Sequence, residues 1–432
     1  MILFVHTITS RHRFIARFLE QELTNAPVTI TADKETYLHE TGPRINYSDA
    51  RITGNEFWMK PAGLLSEDTI REQVITISRR DGLPFFFPTE GDFEFDIFSV
   101  VFYLLSRYEE YLPHTKDIYG RYAHVNSLAF KEGFLDQPLV NQWMKIFASA
   151  LEAKFPDIKL RKPLFSFIPT YDIDEAWAFK HKTWTRSAGG ALRDLLTGHW
   201  KRLARRRRVL NNKEADPYDA VAWMDDLHRP SELKPLYFFL VAEQNGKYDK
   251  NALPSETAMQ TIIRHHAEKY AVGLHPSWQS GDDTSLLPAE KARLEKISGL
   301  KITASRQHYI RFSMPDTFRR LLEAGITEDY SMGYGSINGF RASVASPFFW
   351  FDLEKNTETH LQLFPFCYMD ANSYYEQGQD AAGAYTEMKN YYEKVKAVDG
   401  LFISIWHNTF LGTEKRFEGW KEAYRTLYNS IS

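Results

Sequence analysis

The chain has 432 residues, of which 43% are hydrophobic and 25% charged, an ordinary globular mixture that excludes a disordered or collagen-like chain. Its 53 Lys and Arg residues nearly balance its 56 Asp and Glu residues, and the net charge of -3 argues against nucleic acid as a partner. Cys367 is the single cysteine, which excludes an internal disulfide and a multi-cysteine zinc site.

Residues 1–150 mix short strand-like and helical segments, and we expect them to form a mixed α/β domain of unknown role. Ser66 is predicted to cap a helix. The strongly apolar stretch Phe95–Tyr111 is predicted to be a buried helix. Near its end, Glu109 and Glu110 are interpreted as helix-surface carboxylates, because adjacent helix positions do not face each other.

The apolar segments of the sequence are short. The run Met1–Val5 is too short for the core of a signal peptide, and no stretch reaches the roughly 18 apolar residues of a membrane-spanning helix. We therefore expect no transmembrane segment and a cytoplasmic location.

From about residue 160 the pattern changes to an alternation of strands and helices, which favours a parallel sheet or barrel with helices outside. The interval 176–230 interrupts this alternation and contains the run KRLARRRR at 201–208. One interpretation of that run is a solvated helix face or a flexible insertion. The other is a contact with anionic lipid head groups or a phosphorylated ligand, which would make the protein membrane-peripheral.

Asp172 and Asp174 come at the end of the first strand of this second region. Residues two apart in a strand point to the same face, so the two carboxylates share one space and repel unless a cation or proton separates them. A metal ligand beside a general base explains the pair, and a turn with local side-chain hydrogen bonds is the alternative.

Polar residues recur where the later strands are predicted to end. In parallel sheets and barrels these ends meet at one edge, where catalytic residues lie. We therefore interpret the recurrence as a site. The residues concerned are His275, Arg306, His308, Tyr309, Asp329, Arg341, Asp370 and His407.

The order Asp-x-Asp, Gly-Leu-His-Pro-Ser, Ser-Arg-Gln-His-Tyr, Asp-Tyr and Trp-His-Asn resembles the polysaccharide deacetylases, that is, carbohydrate esterase family 4 or the NodB-homology domain. The segment 95–113 resembles the first domain of a Bacteroidetes-type subgroup. The resemblance implies an α/β chain in which a distorted, NodB-like (β/α) barrel of about seven strands occupies 160–432. This barrel would carry the basic insertion at 176–230 and would follow the smaller domain at 1–150.

The resemblance also implies catalytic roles. Asp172 matches the general base and His407 the general acid. Arg306 matches a motif arginine, and Asp329 an aspartate that tunes the base through it. The backbone near Tyr309 would hold the oxyanion, and Trp406 would lie near the acetyl pocket. Arg341 and Asp370 are further candidates for substrate contact.

For the metal, the resemblance implies a divalent ion, most simply Zn2+. Asp174 and His275 match family ligands. The family has a second histidine where this chain has Gln279, and we expect His308, which replaces a proline of the family motif, to substitute for it.

The expected function is therefore metal-dependent removal of N-acetyl groups from an amino-sugar glycan or glycan precursor. Such an enzyme is a hydrolase of non-peptide C–N bonds in the biosynthesis of a cell-surface or capsular polysaccharide. Two alternatives stay open: an inactive NodB-like protein that binds glycan, which Gln279 favours, and an amidohydrolase of a small non-peptide amide.

Overall fold

A computed structural model of the chain describes residues 1–24 and 26–431. The first part of the chain forms a small parallel sheet of four strands. The strands pair in the order β2-β1-β3-β4. The central strand β1 is built from the wholly apolar sequence ILFV, and all of it is buried. The four are β1 (Ile2–Val5), β2 (Thr29–Thr31), β3 (Arg44–Tyr47) and β4 (Phe57–Met59).

Helices and a short hairpin complete this part of the chain. The hairpin is antiparallel, and every residue of the third helix is buried. These elements are α1 (Ser10–Leu23), α2 (Lys34–His39), β5 (Ser78–Arg80), β6 (Leu83–Phe85), α3 (Ile97–Leu105), α4 (Leu128–Lys131) and α5 (Leu139–Lys154).

A large sheet organises the rest, with the strand order β12-β13-β11-β10-β9-β8-β7-β15-β14. Every pairing in it is parallel except that of β12 with β13. The strands are β7 (Ser166–Ile173), β8 (Leu236–Leu240), β9 (Ala271–His275), β10 (Ala304–Ser305), β11 (Glu328–Asp329), β12 (Phe348–Asp352), β13 (Thr357–Leu363), β14 (Tyr368–Met369) and β15 (Leu401–His407).

Helices connect these strands in the alternation that the sequence predicts. Two of them, α6 and α7, form the insertion. The helices are α6 (Trp184–Leu196), α7 (Trp200–Leu210), α8 (Val221–His228), α9 (Thr257–Lys269), α10 (Leu286–Ser298), α11 (Asp316–Glu323), α12 (Ala381–Ala397), α13 (Asn408–Leu411) and α14 (Trp420–Ile431).

The expected α/β class is confirmed as a mixed α/β structure with a large, mostly parallel sheet. Closure of that sheet into a barrel and the division into two domains stay predictions. One hydrophobic core runs through both parts. At their junction the ring of Phe351 lies 5.4 Å from that of Phe14 and 5.0 Å from that of Phe102.

Two local predictions are wrong. Ser66 ends a single 3-10 turn, and the segment that follows is extended, with the amide of Arg71 donating to the Tyr108 hydroxyl of the neighbouring turn. Glu110 is buried, because Arg107 and Arg341 both donate to its carboxylate. These guanidinium groups hold the pKa of Glu110 near 2, although burial alone would raise it.

Within residues 1–24 and 26–431, no helix combines the length and apolar character needed to cross a bilayer.

Candidate metal centre and active site

Several of the polar residues predicted at strand ends lie together at one edge of the large sheet. Asp172 lies beside His407 in the register of β7 and β15, and His275 is the last residue of β9. Arg306 directly follows β10, and its backbone amide donates to the carbonyl of Leu274 in β9. The carboxyl ends of parallel strands therefore bring together residues that are far apart in sequence.

Asp174, His275 and His308 form a group able to hold a metal ion, with one donor atom from each within 4.8 Å of the others. The Nε2 atoms of His275 and His308 lie 3.1 and 3.4 Å from the two Asp174 oxygens. Both imidazoles are buried, whereas the Asp174 side chain is 24% exposed. The group is thus reachable from solvent on the Asp174 side.

The surroundings of the two histidines fit a metal. Nδ1 of His275 donates to the Arg306 carbonyl at 2.6 Å, and Nδ1 of His308 pairs with Asp249 Oδ1 at 3.0 Å. These bonds turn each Nε2 toward Asp174, the arrangement that orients ligating histidines in proteins. The Oδ1 atom of Asp174 is buried and accepts no hydrogen bond from the described residues, so it retains an unused lone pair for a cation.

Gln279 lies behind this group and does not join it. Its Nε2 donates to Asp249 Oδ2 at 3.0 Å, and the amide of Trp278 donates to the other Asp249 oxygen at 2.8 Å. Burial would raise the pKa of Asp249, but the hydrogen bonds from His308 and Gln279 keep it below its ordinary value. The residue that replaces the expected histidine therefore supports the carboxylate that orients His308.

Asp172 is fixed by Arg306. The guanidinium donates through Nη1 to Asp172 Oδ1 at 2.8 Å and through Nη2 to the Thr170 hydroxyl at 2.8 Å. It is fully buried, and its Nε donates to the Tyr330 carbonyl. These three bonds fix the guanidinium, which in turn fixes the orientation of the Asp172 carboxylate. The second oxygen, Oδ2, lies 3.9 Å from His275 Nε2.

His407 also borders the metal group. Its Nε2 lies 3.5 Å from Asp174 Oδ2, and its Nδ1 donates to Asp370 Oδ1 at 2.6 Å. Burial alone would lower the pKa of His407, but the Asp370 carboxylate raises it to about 10. His407 therefore holds a proton that points into the site at neutral pH.

Asp329 does not contact Arg306 through a hydrogen bond or ion pair in the described residues. Its carboxylate instead accepts from the Ser305 hydroxyl at 2.8 Å and the Ser331 amide at 2.9 Å. Burial raises the pKa of Asp329 to about 6. Any influence on Asp172 through Arg306 is electrostatic only.

Three residues predicted to contact substrate have other surroundings. Asp370 is fully buried and bonded to the side chain and backbone of His407, so it positions that imidazole. Arg341 is paired with Glu110. Trp406 is buried against Tyr424, because neighbouring residues of β15 alternate between the two faces of the sheet and His407 takes the site face.

Tyr309 does border the site, together with three rings that the sequence reasoning missed. Its ring lies 4.7 Å from that of His308 and is surrounded by Tyr119, Tyr248 and Trp278 at 5.2 to 5.5 Å between centroids. All four aromatic side chains are half-buried. No sequence pattern links these rings, because they come from loops that are far apart along the chain.

The backbone of Tyr309 has a φ of +59°, and Arg121 of the N-terminal part donates to its carbonyl at 2.7 Å. Gly335 leaves the space for this contact, since a Cβ there would come within 2.0 Å of the Arg121 guanidinium. The N-terminal part thus braces the loop that carries His308.

Asp249 was missed although it had a signal. It lies in the loop that follows β8, and the rule that functional residues follow strand ends would have directed attention to that loop.

The fold and the donor set define a mixed α/β protein with a His-His-Asp group able to bind a metal. A family model described as a family of unknown function (DUF7033) matches residues 1–156. A search of curated protein sequences found no match.

Among solved structures, one from Mycobacterium smegmatis, described as a "putative polysaccharide deacetylase", is similar to this chain. The two are 13% identical with a TM-score of 0.40, over 63% of this chain and 86% of the other.

Proposed function

We propose that this chain is a divalent-metal-dependent deacetylase that hydrolyses the N-acetyl group of an amino-sugar glycan or glycan precursor. The observation that supports the proposal is that a potential acid and a potential base both border one metal-binding group. Asp172 Oδ2 lies 3.9 Å from His275 Nε2, and His407 Nε2 lies 3.5 Å from Asp174 Oδ2. The resemblance to the polysaccharide deacetylases assigns those same roles to those positions.

A metal held by Asp174, His275 and His308 would polarise the acetyl carbonyl and acidify a bound water. Two imidazoles, one carboxylate and an open side are the donor set of a catalytic zinc site, so zinc is our proposal for the ion. A single cysteine, Cys367, buried elsewhere, is consistent with a site made without thiolates.

The chain's own residues would handle the protons. Asp172, oriented by Arg306, takes a proton from the attacking water through Oδ2, the oxygen that Arg306 does not bind. His407, charged because of Asp370, gives a proton to the departing amine, which is a poor leaving group as an anion. The products are acetate and a free amino sugar.

Carbohydrate is the substrate class that the resemblance implies, and the four half-buried rings around Tyr309 favour it, since aromatic faces suit the apolar faces of sugar rings. The wider setting that we propose is cytoplasmic biosynthesis of a cell-surface or capsular polysaccharide. These parts of the proposal rest on the resemblance.

The test is acetate release from N-acetylated glucosamine oligomers by the purified chain. Asp172→Asn should abolish release while metal content stays at the wild-type level, and His275→Ala should lower both. Metal retained by His275→Ala, His308→Ala and Asp174→Asn alike would refute the metal site. Metal lost in these variants without acetate release by the wild type would instead favour a glycan-binding protein.

A further inference from the structure

The insertion forms a helical hairpin, α6–α7, whose outward surface is unusually apolar. We call this surface the outer face of the hairpin. It carries exposed tryptophan and leucine side chains, of which Trp184 is 82% and Leu196 is 76% exposed. Its apolar members are Trp184, Leu192, Leu195, Leu196 and Trp200, and its cations are Lys201 and Arg207.

Polar anchors fix the orientation of this hairpin. The inward side of α6 carries Asp194, which is buried and paired with Arg202 and Arg206 of α7. Gly190 allows the two helices to approach, since a Cβ there would lie 2.7 Å from the Arg206 guanidinium. A helix of a globular protein normally turns its apolar side inward, so α6 is amphipathic in the reverse sense.

The basic run 201–208 divides between the two sides of α7. Arg206 points inward to Asp194, and Arg205 pairs with Glu214. Lys201 and Arg207 are exposed on the outer face and form no ion pair with the described residues. The outer face therefore combines several exposed apolar side chains with two cations that have no ion-pair partner among the described residues.

We propose that the outer face of the hairpin docks on an anionic lipid bilayer. Helices that lie at a membrane surface bury tryptophan and leucine side chains in the interface and keep lysine and arginine at the level of the phosphates. The exposed tryptophans are suited to that depth. A protein partner would cover the leucines equally well, but the free cations next to them complement acidic head groups.

Docking would bring the candidate site to the membrane. The hairpin is tied to the carboxyl end of β7, where Lys182 pairs with Glu175, the residue after Asp174. Arg186 of α6 donates to the carbonyl of Asn251, whose side chain in turn donates to the Ile173 carbonyl. The hairpin and the edge that carries the metal group are thus joined by short polar links, which are buried or partly buried.

The experiment is co-sedimentation of the whole chain with vesicles of phosphatidylcholine, with and without phosphatidylglycerol. The wild type should bind the anionic vesicles more strongly. Leu192→Ser/Leu196→Ser should weaken binding to them about tenfold or more. Lys201→Gln/Arg207→Gln should weaken it about tenfold and leave binding to neutral vesicles unchanged.

Matched controls use exposed side chains outside the hairpin. Leu164→Ser removes an 85% exposed leucine, and Lys301→Gln/Lys389→Gln removes two exposed cations. Neither should change vesicle binding, and circular dichroism should show all variants folded. The assay has no catalytic readout, so its outcome is independent of the proposed deacetylase activity.

Two results would overturn the proposal. One is a wild-type chain that does not sediment with anionic vesicles. The other is a dimer in light scattering that Leu192→Ser/Leu196→Ser dissociates, because a second copy of the chain would then be the occupant of the outer face.

Discussion

Asp249 is the residue on which the orientation of His308 depends. Its two oxygens are shared among His308, Gln279 and the Trp278 amide, so it couples a candidate metal ligand to the loop after β9. Asp249 thereby links Gln279, which stands where the deacetylase motif has a histidine, to His308, the ligand that we propose in place of that histidine.

Asp249→Asn should weaken metal affinity about 10- to 100-fold, the usual effect of losing a carboxylate behind a ligating histidine. The uncharged amide no longer fixes the tautomer of His308. The measurement is competition with a chromogenic chelator. Asp282→Asn, at an exposed carboxylate bonded to Arg311, is the control and should have no effect. Equal affinities of the two variants would contradict this role.

Unlike Asp249→Asn, Asp370→Asn should impair the proposed acid and leave the metal site intact. It removes the charge that keeps His407 protonated, so acetate release should fall by at least about a hundredfold while bound metal stays unchanged. Activity and metal content are measured on the same preparation. Loss of metal in this variant would show that Asp370 maintains the metal site and not the acid.

The positions that sequence could predict are those whose side chains follow directly from strand ends, such as His275 and His407. Contacts over long distances along the chain could not be predicted in this way. Arg341 looked like a site residue because nothing local reveals that its partner is Glu110. Trp406 is different, because strand alternation beside His407 would have placed it on the far face.

At the scale of elements, β9 shows how tightly the sheet packs beside the site. A Cβ on Gly273 would lie 2.5 Å from the ring of Phe238 in β8 and 3.0 Å from the Ala304 carbonyl in β10. Neither neighbour is the free end of a flexible chain. Glycine is required at position 273 because the neighbouring strands approach it closely, and not because of its backbone φ angle.

Gly273→Ala should therefore lower the free energy of unfolding by about 1–3 kcal/mol, the cost of overpacking a core. Urea unfolding followed by tryptophan fluorescence measures it. Gly54→Ala is the matched control, since a Cβ there meets nothing within 4 Å. Equal midpoints for both variants would show that β8 and β10 can move apart freely.

Among elements, the sequence predicted the alternation in the second part well, because long apolar strands and periodic helices have strong patterns. It missed β2 to β4, whose three or four residues are too few to show a period. The composition of the run 201–208 did not reveal which of its side chains are buried. Its composition suggests one uniformly solvated face, but the 3.6-residue period of α7 turns Arg206 inward and Arg207 outward.

At the scale of the whole molecule, the two parts share buried polar contacts as well as a core. The Glu22 carboxylate of α1 accepts from the Ser346 hydroxyl at 3.2 Å and from Asn141 at 3.4 Å. Burial raises the pKa of Glu22 to about 7. The folded chain thus binds this proton more tightly than the unfolded chain does.

The contribution of Glu22 to the free energy of unfolding should consequently fall as the pH rises from about 4.5 to about 7, because in that window its carboxyl group holds a proton in the folded state that it has lost in the unfolded state. Glu22→Gln removes the buried charge, so it should stabilise the protein at pH 8 by on the order of 2 kcal/mol and have little effect at pH 5. Thermal unfolding at both pH values measures this. A gain of the same size at both would exclude titration of Glu22 as the cause.

The contact of Arg121 with the Tyr309 carbonyl has a consequence for how such chains can be recombined. A chimera that joins residues 160–432 to the first segment of a relative would replace the arginine that braces the loop bearing His308, even though every candidate ligand stayed in place. Only donors whose first segment has an arginine that fits the space left by Gly335 should give a competent hybrid. The two segments are therefore expected to be inherited as a pair.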